Sequence, residues 1–246
     1  MPVYNAEKYI QLAVDSILEQ TFTNFEFIII NDGSTDGTSA ILEEYAKKES
    51  RIRLISRENR GLVKTLNEGI ELVTAPLIAR MDADDIALPN RLREQFNYLA
   101  LNPDVVCVGG DAIIIDEDGR ELTILNTPYS NEGIQQEILK GHGALFHPAV
   151  MYRTETIQKI SGYDSNFYPA EDLDLWLRLG EHGALANLNV AIIKYRFLAS
   201  SISGQLATRQ YAAARASCEA AWKRRAVSGV FEATGDWRPT GHVSSQ

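Results

Sequence analysis

The stretch Leu77-Ile78-Ala79-Arg80-Met81-Asp82-Ala83-Asp84-Asp85 decides how this chain is read. Its apolar opening reads as a buried strand, and it closes on three carboxylates within four residues. A strand tip has no structural need for such crowding, because like charges placed together oppose one another's ionisation. A divalent cation offsets that cost. Hard ions such as Mn2+ or Mg2+ take carboxylate oxygens together with substrate phosphates. In open α/β sheets ligands sit beyond the carboxyl ends of the strands. Asp82 and Asp84 therefore stand where a metal-bound diphosphate would lie. An Asp-x-Asp pair alone is equally consistent with a solvated acidic turn, so the reading depends on the rest of the chain.

Outward from this stretch, the first half alternates strands and helices. Residues 5–20 predict an amphipathic helix capped by Asn5, with Ile10, Ala13, Val14, Ile17 and Leu18 on one stripe. Residues 25–30 are almost continuously apolar, as expected of a strand covered on both faces. They run into Asn31-Asp32-Gly33-Ser34-Thr35-Asp36, a turn rich in helix caps. A helix to about Lys48 and a strand over 51–56 come next, then a helix carrying Leu62, Leu66, Ile70 and Val73. Beyond the acidic turn, Pro89 opens a helix to about Leu101, and 105–109 is a strand. Segments 112–115 and 122–124 flank Asp116-Glu117-Asp118-Gly119 as a hairpin. Alternating strands and helices imply an α/β fold with a mainly parallel central sheet flanked by helices. Such a sheet should open on a strand, and Met1-Pro2-Val3-Tyr4 resembles only the end of one. The expectation is that the first strand is truncated, with a short apolar strand preceding Met1.

Composition excludes several classes. The chain has 246 residues, 45% hydrophobic and 23% charged, as in an ordinary globular protein. Its apolar runs are far shorter than the roughly 20 residues of a membrane span. Met1 to Lys8 contains no leader-like apolar core. Two cysteines, Cys107 and Cys218, form neither a disulfide framework nor a metal cluster. The net charge of −9 argues against nucleic acid as a partner. The charge is uneven: residues 205–246 carry six Lys/Arg against three Asp/Glu, a net of +3, which leaves −12 on the remainder. The expected division is 1–204 as the catalytic domain and 205–246 as a basic helix with a frayed tail. The reading is a cytoplasmic protein, with the basic helix as a candidate for peripheral contact at the inner face of the membrane.

Six ordered motifs, Pro2-Val3-Tyr4-Asn5, Asn31-Asp32-Gly33-Ser34-Thr35-Asp36, Asn59-Arg60-Gly61, Asn67-Glu68-Gly69, Met81-Asp82-Ala83-Asp84-Asp85 and Ala170-Glu171-Asp172-Leu173-Asp174-Leu175-Trp176, together resemble family 2 glycosyltransferases. The resemblance runs from residue 1 to about 203. It implies a GT-A fold and an inverting, metal-dependent transfer from a nucleotide-sugar, most simply a UDP-sugar, to a saccharide or lipid-linked acceptor in cell-surface polysaccharide or glycolipid assembly. It also implies roles for individual residues. Val3, Tyr4, Asp32, Arg60, Lys64, Asp82 and Ala83 would bind the nucleotide-sugar, with Asp32 accepting the N3–H of uracil and Arg60 and Lys64 meeting phosphate. Asp84 would be the metal ligand, and Asp85 would cap the segment after it. Asp172 would be the general base that inverting transfer requires. Glu171 and His147 are candidates for acceptor or diphosphate contacts; the alternative for Glu171 is a helix start, and for His147 the preferred reading is a hydrogen-bonded structural histidine. One departure stands out: related sequences often place a histidine two residues after the Tyr-Arg near 195, and here Leu198 stands there. Two rivals remain: a nucleotidyltransferase acting on a sugar phosphate, and an inactive glycosyltransferase-like binding protein.

Overall fold

The structure, a computed structural model, describes residues 1–198 and 206–233. The elements run β1 (Pro2–Val3), α1 (Ile10–Leu18), β2 (Phe27–Asp32), α2 (Thr38–Lys48), β3 (Ile52–Arg57), α3 (Leu62–Leu72), β4 (Leu77–Ala79), β5 (Ile86–Ala87), α4 (Arg91–Leu101), β6 (Val105–Ile115), β7 (Glu121–Leu125), α5 (Asn131–Leu139), β8 (Met151–Arg153), α6 (Thr154–Lys159), α7 (Glu171–Leu179), β9 (Ala184–Arg196) and α8 (Ala207–Arg225). The expected fraying of the last dozen residues falls outside the described residues.

β1, β2 and β3 form a parallel sheet in that order. β2 is apolar along its length because both faces are covered: Ile29 and Ile30 are buried between helices. A second sheet has the order β4-β8-β6-β9-β5, with β7 on β6. The parallel pairing expected from the first half holds in the first sheet, and the second sheet is mixed. Only β6–β9 is parallel; β4–β8, β6–β8, β5–β9 and β6–β7 are antiparallel. Antiparallel neighbours need no crossover helix, and the chain from 105 onward turns back directly at the hairpin over 116–120. The two segments read as separate strands at 105–109 and 112–115 are one strand, β6, interrupted by register shifts around Asp111. No strand pairing joins the two sheets among the described residues.

The first helix begins later than its stripe suggests. Asn5 does not cap it; Asn5 adopts φ 48° and its Oδ1 accepts the Thr35 N–H at 2.8 Å, tying the 4–7 loop to the 33–38 loop. α1 and the residue two beyond its end reach the second sheet through two buried polar side chains. The Ala87 N–H donates to Ser16 Oγ at 3.0 Å. Gln20 donates to the Leu88 carbonyl at 2.8 Å and accepts from the Leu92 N–H at 3.0 Å.

The largest core lies between β6, β8 and helices α3, α5, α6 and α7, with Trp176 and Tyr152 buried in it. α8 belongs to the same core: Ala214, Cys218 and Ala221 are fully buried, and Trp222 Nε1 donates to the Leu139 carbonyl at 3.1 Å. Cys107 is a core residue as expected, and burial pushes both thiols up, out of the reactive range.

Candidate active site

The acidic turn comes directly after β4, and it is compact. One ligand oxygen from each of Asp82, Asp84 and Asp85 lies within 4.8 Å of the others. Burial, and after it the charge of Asp82, pushes Asp84 up to about 6. Asp85 is 1% exposed; burial and then the charge of Asp84 raise it well above the usual aspartate range. Asp85 Oδ2 is buried without a hydrogen-bond partner. A cluster whose acids resist ionisation and which leaves an oxygen orphaned fits a hard divalent cation.

Three arginines hold this turn. Arg80, itself 4% exposed, donates from Nη1 to Asp82 Oδ2 at 2.5 Å. Its fixed charge also opposes the upward shifts of Asp84, Asp85, Glu171 and Asp172. Arg91 is fully buried behind the loop and donates to the Arg80 carbonyl at 2.5 Å; burial lowers its guanidinium to about 9, which still leaves it charged at neutral pH. Arg196, at the end of β9, brings the far side in. Its Nε donates to the Asp84 carbonyl at 2.8 Å and its Nη1 to the Asp116 carbonyl at 2.9 Å. Its backbone N–H donates to Asp85 Oδ1 at 2.7 Å, and its guanidinium lies 4.3 Å from the Tyr9 ring centroid. The expectation that Asp85 caps the segment after it is thereby corrected: the residues after it form β5, and Asp85 fastens that turn to β9.

Glu171 and Asp172 open α7, where the helix dipole favours acids. The strand tip and the helix start are brought together, since Asp82 and Arg80 both act electrostatically on both residues. Burial, and then the charge of Asp172, raise Glu171 to about 7; Glu171 Oε2 has no hydrogen-bond partner. Asp172 is half-buried, and its Oδ1 accepts the Leu173 N–H at 2.8 Å. Burial raises its carboxyl while the helix amides and Arg80 pull it back. Of the pair, Asp172 is the one whose carboxylate accepts a hydrogen bond from a helix amide, which favours its charged form.

The other side of the site is built on the first sheet. Asp32 ends β2 and is 4% exposed. It pairs with Arg57 and accepts the backbone N–H groups of Arg60 at 2.8 Å and Gly61 at 3.0 Å. Its immediate effect is to fix the 58–61 loop beside the strand tips. Gly33 allows that approach: it sits at φ +73°, and a Cβ there would stand 2.6 Å from the Asn59 nitrogen. Arg60 is exposed and Lys64 lies one helical turn further on; neither makes an ion pair among the described residues. Tyr4 is 53% exposed, whereas the Val3 side chain is buried in the core. Ala83 is packed in the same core cluster. His147 meets Tyr163 Oη at 2.8 Å and stacks edge-on against Trp176. Burial, with Arg80 nearby, holds it neutral. That is the structural histidine of the two readings.

Sequence reasoning missed Arg57, Arg80 and Arg196 as site residues. Arg80 had a legible signal, because residues two apart on a strand share a face, and a lone arginine within an apolar strand must find an acid.

The family model "Glycosyl transferase family 2" matches residues 1–161. The chain belongs to that family. This family 2 chain is 35% identical over 200 residues to the O-antigen biosynthesis glycosyltransferase WbnJ of Escherichia coli, covering 80% of this chain and 77% of that protein. It is 32% identical over 198 residues to the amylovoran biosynthesis glycosyltransferase AmsE of Erwinia amylovora, covering 79% and 73%. An uncharacterized glycosyltransferase of Haemophilus influenzae is 35% identical over 204 residues, and the match spans 78% of this chain and only 62% of that relative. Among solved structures, residues 1–349 of S. aureus TarS in complex with UDP-GlcNAc superpose with a TM-score of 0.68 at 19% identity, over 88% of this chain and 63% of that one. The mannosyltransferase PcManGT from Pyrobaculum calidifontis, in complex with GDP-Man and Mn2+, gives 0.66 at 16% identity, over 94% and 74%. At such identities the structures speak for the fold, and the expected GT-A architecture stands. Among the described residues, no helix is long and apolar enough to cross a membrane.

Proposed function

We propose that this family 2 glycosyltransferase moves a sugar from a UDP-sugar to a hydroxyl of a saccharide or lipid-linked acceptor, with inversion at the anomeric carbon. The observation that carries this reading is the facing of two acid groups: the Asp82-Asp84-Asp85 turn and the Glu171-Asp172 helix start share one field around Arg80. Asp84, supported by Asp82, is the candidate holder of Mn2+ or Mg2+. When bound, such an ion neutralises charge developing on the leaving diphosphate. The chain's own residues do the rest. Asp32, with Tyr4 and the Val3 backbone, orients the base, and Asp82 and Ala83 lie along the donor. Arg60 and Lys64 offer unpaired cations to phosphate. Asp172 takes the acceptor hydroxyl's proton as that oxygen attacks, while Glu171, its carboxyl raised to about 7, is suited to hydrogen-bond the acceptor. His147 supports the floor of the site through Tyr163.

Relatives named for O-antigen and amylovoran biosynthesis support a surface-polysaccharide acceptor. Peripheral membrane contact through α8 would rely on Arg209 and Lys223, because Arg215 is paired with Glu219 and Arg224 and Arg225 are engaged with Glu181. Calorimetric titration of the purified chain with UDP, GDP and dTDP, each with and without Mn2+, tests the donor assignment. Metal-dependent binding of UDP supports it; equal or tighter binding of another nucleotide, or no dependence on metal, refutes it.

A further inference from the structure

Two cations meet over one ring at the end of the 4–9 loop. The Arg196 guanidinium lies 4.3 Å and Lys8 Nζ 5.0 Å from the Tyr9 ring centroid. Tyr9 is half-buried, and Arg196 is almost fully buried. Arg196 Nη2 has no hydrogen-bond partner among the described residues. The π-face of Tyr9 offers that desolvated cation compensation of another kind.

The two ends of this contact belong to different halves of the site. On one side, the 4–9 loop is bound to the 33–38 loop along its length. The Asn5 N–H donates to Ser34 Oγ at 3.0 Å, the Ala6 N–H to Thr38 Oγ1 at 2.8 Å and the Glu7 N–H to Asp36 Oδ2 at 3.2 Å. Glu7 Oε2 in turn accepts the Gly37 N–H at 2.5 Å. Tyr4, proposed to meet the base, opens this loop. Asn5 beside it holds φ 48°, a left-handed backbone that a non-glycine residue keeps only where its surroundings impose it. On the other side, Arg196 Nε holds the Asp84 carbonyl and its backbone N–H holds Asp85 Oδ1. The hairpin over 116–120 closes the ring of contacts. Lys8 pairs with Glu117 at 3.7 Å, and Arg196 Nη1 donates to the Asp116 and Glu117 carbonyls at 2.9 and 3.2 Å. Beyond the end of the base loop, the path to the acidic turn is two contacts long: ring to guanidinium, and guanidinium to Asp84.

We propose that Tyr9 is a positioning residue that couples the nucleobase site to the cation site. A base seated against Tyr4 and Asp32 settles the 4–9 loop, the loop fixes the ring, and the ring fixes the guanidinium that holds the Asp84–Asp85 turn. This coupling rests on the donor site proposed above, and adds that base and cation strengthen one another with no phosphate between them. It requires two arrangements of the turn, with Arg196 seated or unseated, and both ligands favour the seated one. Linkage is reciprocal, so the cation tightens the base by the same factor as the base tightens the cation. The weakest member of the path bounds that factor. The Lys8–Glu117 pair is exposed on both sides and adds little. A half-buried cation–π contact sets the linkage at the low end of the usual range, about fivefold.

Uridine is the probe, because it presents the base and brings no phosphate to the metal. Mn2+ affinity is read from the electron paramagnetic resonance of the free ion, without uridine and with saturating uridine. Uridine should tighten Mn2+ about fivefold in the unaltered chain and in Tyr9→Phe, which keeps the ring, and leave it almost unchanged in Tyr9→Leu. A merely structural Tyr9 would weaken Mn2+ or uridine separately and leave the linkage factor untouched. If Tyr9→Leu fails to fold, hydrogen exchange at the Arg196 amide, which donates to Asp85, decides instead. Uridine should slow it about fivefold in the unaltered chain, and unchanged exchange overturns the coupling. Equal linkage in Tyr9→Leu and the unaltered chain also overturns it. So does an absence of any effect of uridine on Mn2+ in the unaltered chain while UDP and Mn2+ bind together. Failure of UDP itself to bind overturns the donor assignment, and the coupling falls with it.

Discussion

Cation binding at the acidic turn should weaken about tenfold for each pH unit below about 6. Asp84 carries a carboxyl pushed up to about 6, and a proton there competes with the ion. At pH 5 about one carboxyl in ten is ionised, so apparent affinity falls about tenfold from its plateau, worth about 1.4 kcal/mol. Asp85, which is raised further, would double the slope if its proton also has to leave. Asp82 is the second cause of the Asp84 shift, after burial. Asp82→Asn should therefore move the midpoint down towards ordinary aspartate values while lowering the plateau affinity. Folding stability carries the opposite sign. The folded chain holds the Asp84 proton between 3.8 and about 6 while the unfolded chain releases it. Stability from this group is thus greatest below about pH 4 and falls by about 3 kcal/mol as pH rises through 6. A saturating cation should restore it. Calorimetry with Mn2+ and UDP from pH 5 to 7.5, in two buffers of different ionisation heat, counts the protons released. A flat affinity over that range, or a midpoint unmoved in Asp82→Asn, refutes the reasoning.

Other outcomes rest on the same geometry. Asp172→Asn should cut kcat by about 10²–10⁴ with UDP affinity unchanged, and Glu171→Gln should cost much less; the reverse pattern in steady-state assays would move the base to Glu171. Arg196→Met removes charged hydrogen bonds to the Asp84 and Asp116 carbonyls. Those are worth about 3 kcal/mol, so calorimetric Tm should fall by on the order of 10 °C, and an unmoved Tm would remove the clamp from the account. Gly33→Ala forces a Cβ against Asn59 at positive φ. It should cost on the order of 1–3 kcal/mol and weaken UDP binding severalfold, read by denaturant titration and calorimetry; wild-type values in both would show that the loop does not depend on that close approach.

Much of the first 100 residues was legible because its helices and the β2–β3 pairing are local, whereas α1 starts five residues later than expected and β5, which pairs with distant β9, was missed. β2, β3, α2, α3 and α4 lie within about two residues of where apolar periodicity and turn residues place them, as boundary uncertainty allows. β9 was not legible. Its run Ala184-Leu185-Ala186-Asn187-Leu188-Asn189 alternates weakly, and its long pairing with β6 is a contact between distant segments that local pattern cannot announce. Because β9 was missed, Arg196 was missed with it. The acids of the site were visible as motifs, but the arginines that hold them were not: a salt bridge such as Arg57–Asp32 joins residues 25 apart through the parallel register of two strands.

Gln20 gives α1 a consequence beyond packing. The nucleotide side of the site stands on one sheet and the acidic side on the other, and α1 reaches across through Ser16 and Gln20. A buried amide just beyond a helix, touching no proposed substrate group, would thereby set the alignment of the proposed base and diphosphate sites. Replacing it with an apolar residue of similar size would leave each half intact and put them out of true, so the defect should appear as a raised KM for the donor while each half keeps its own structure.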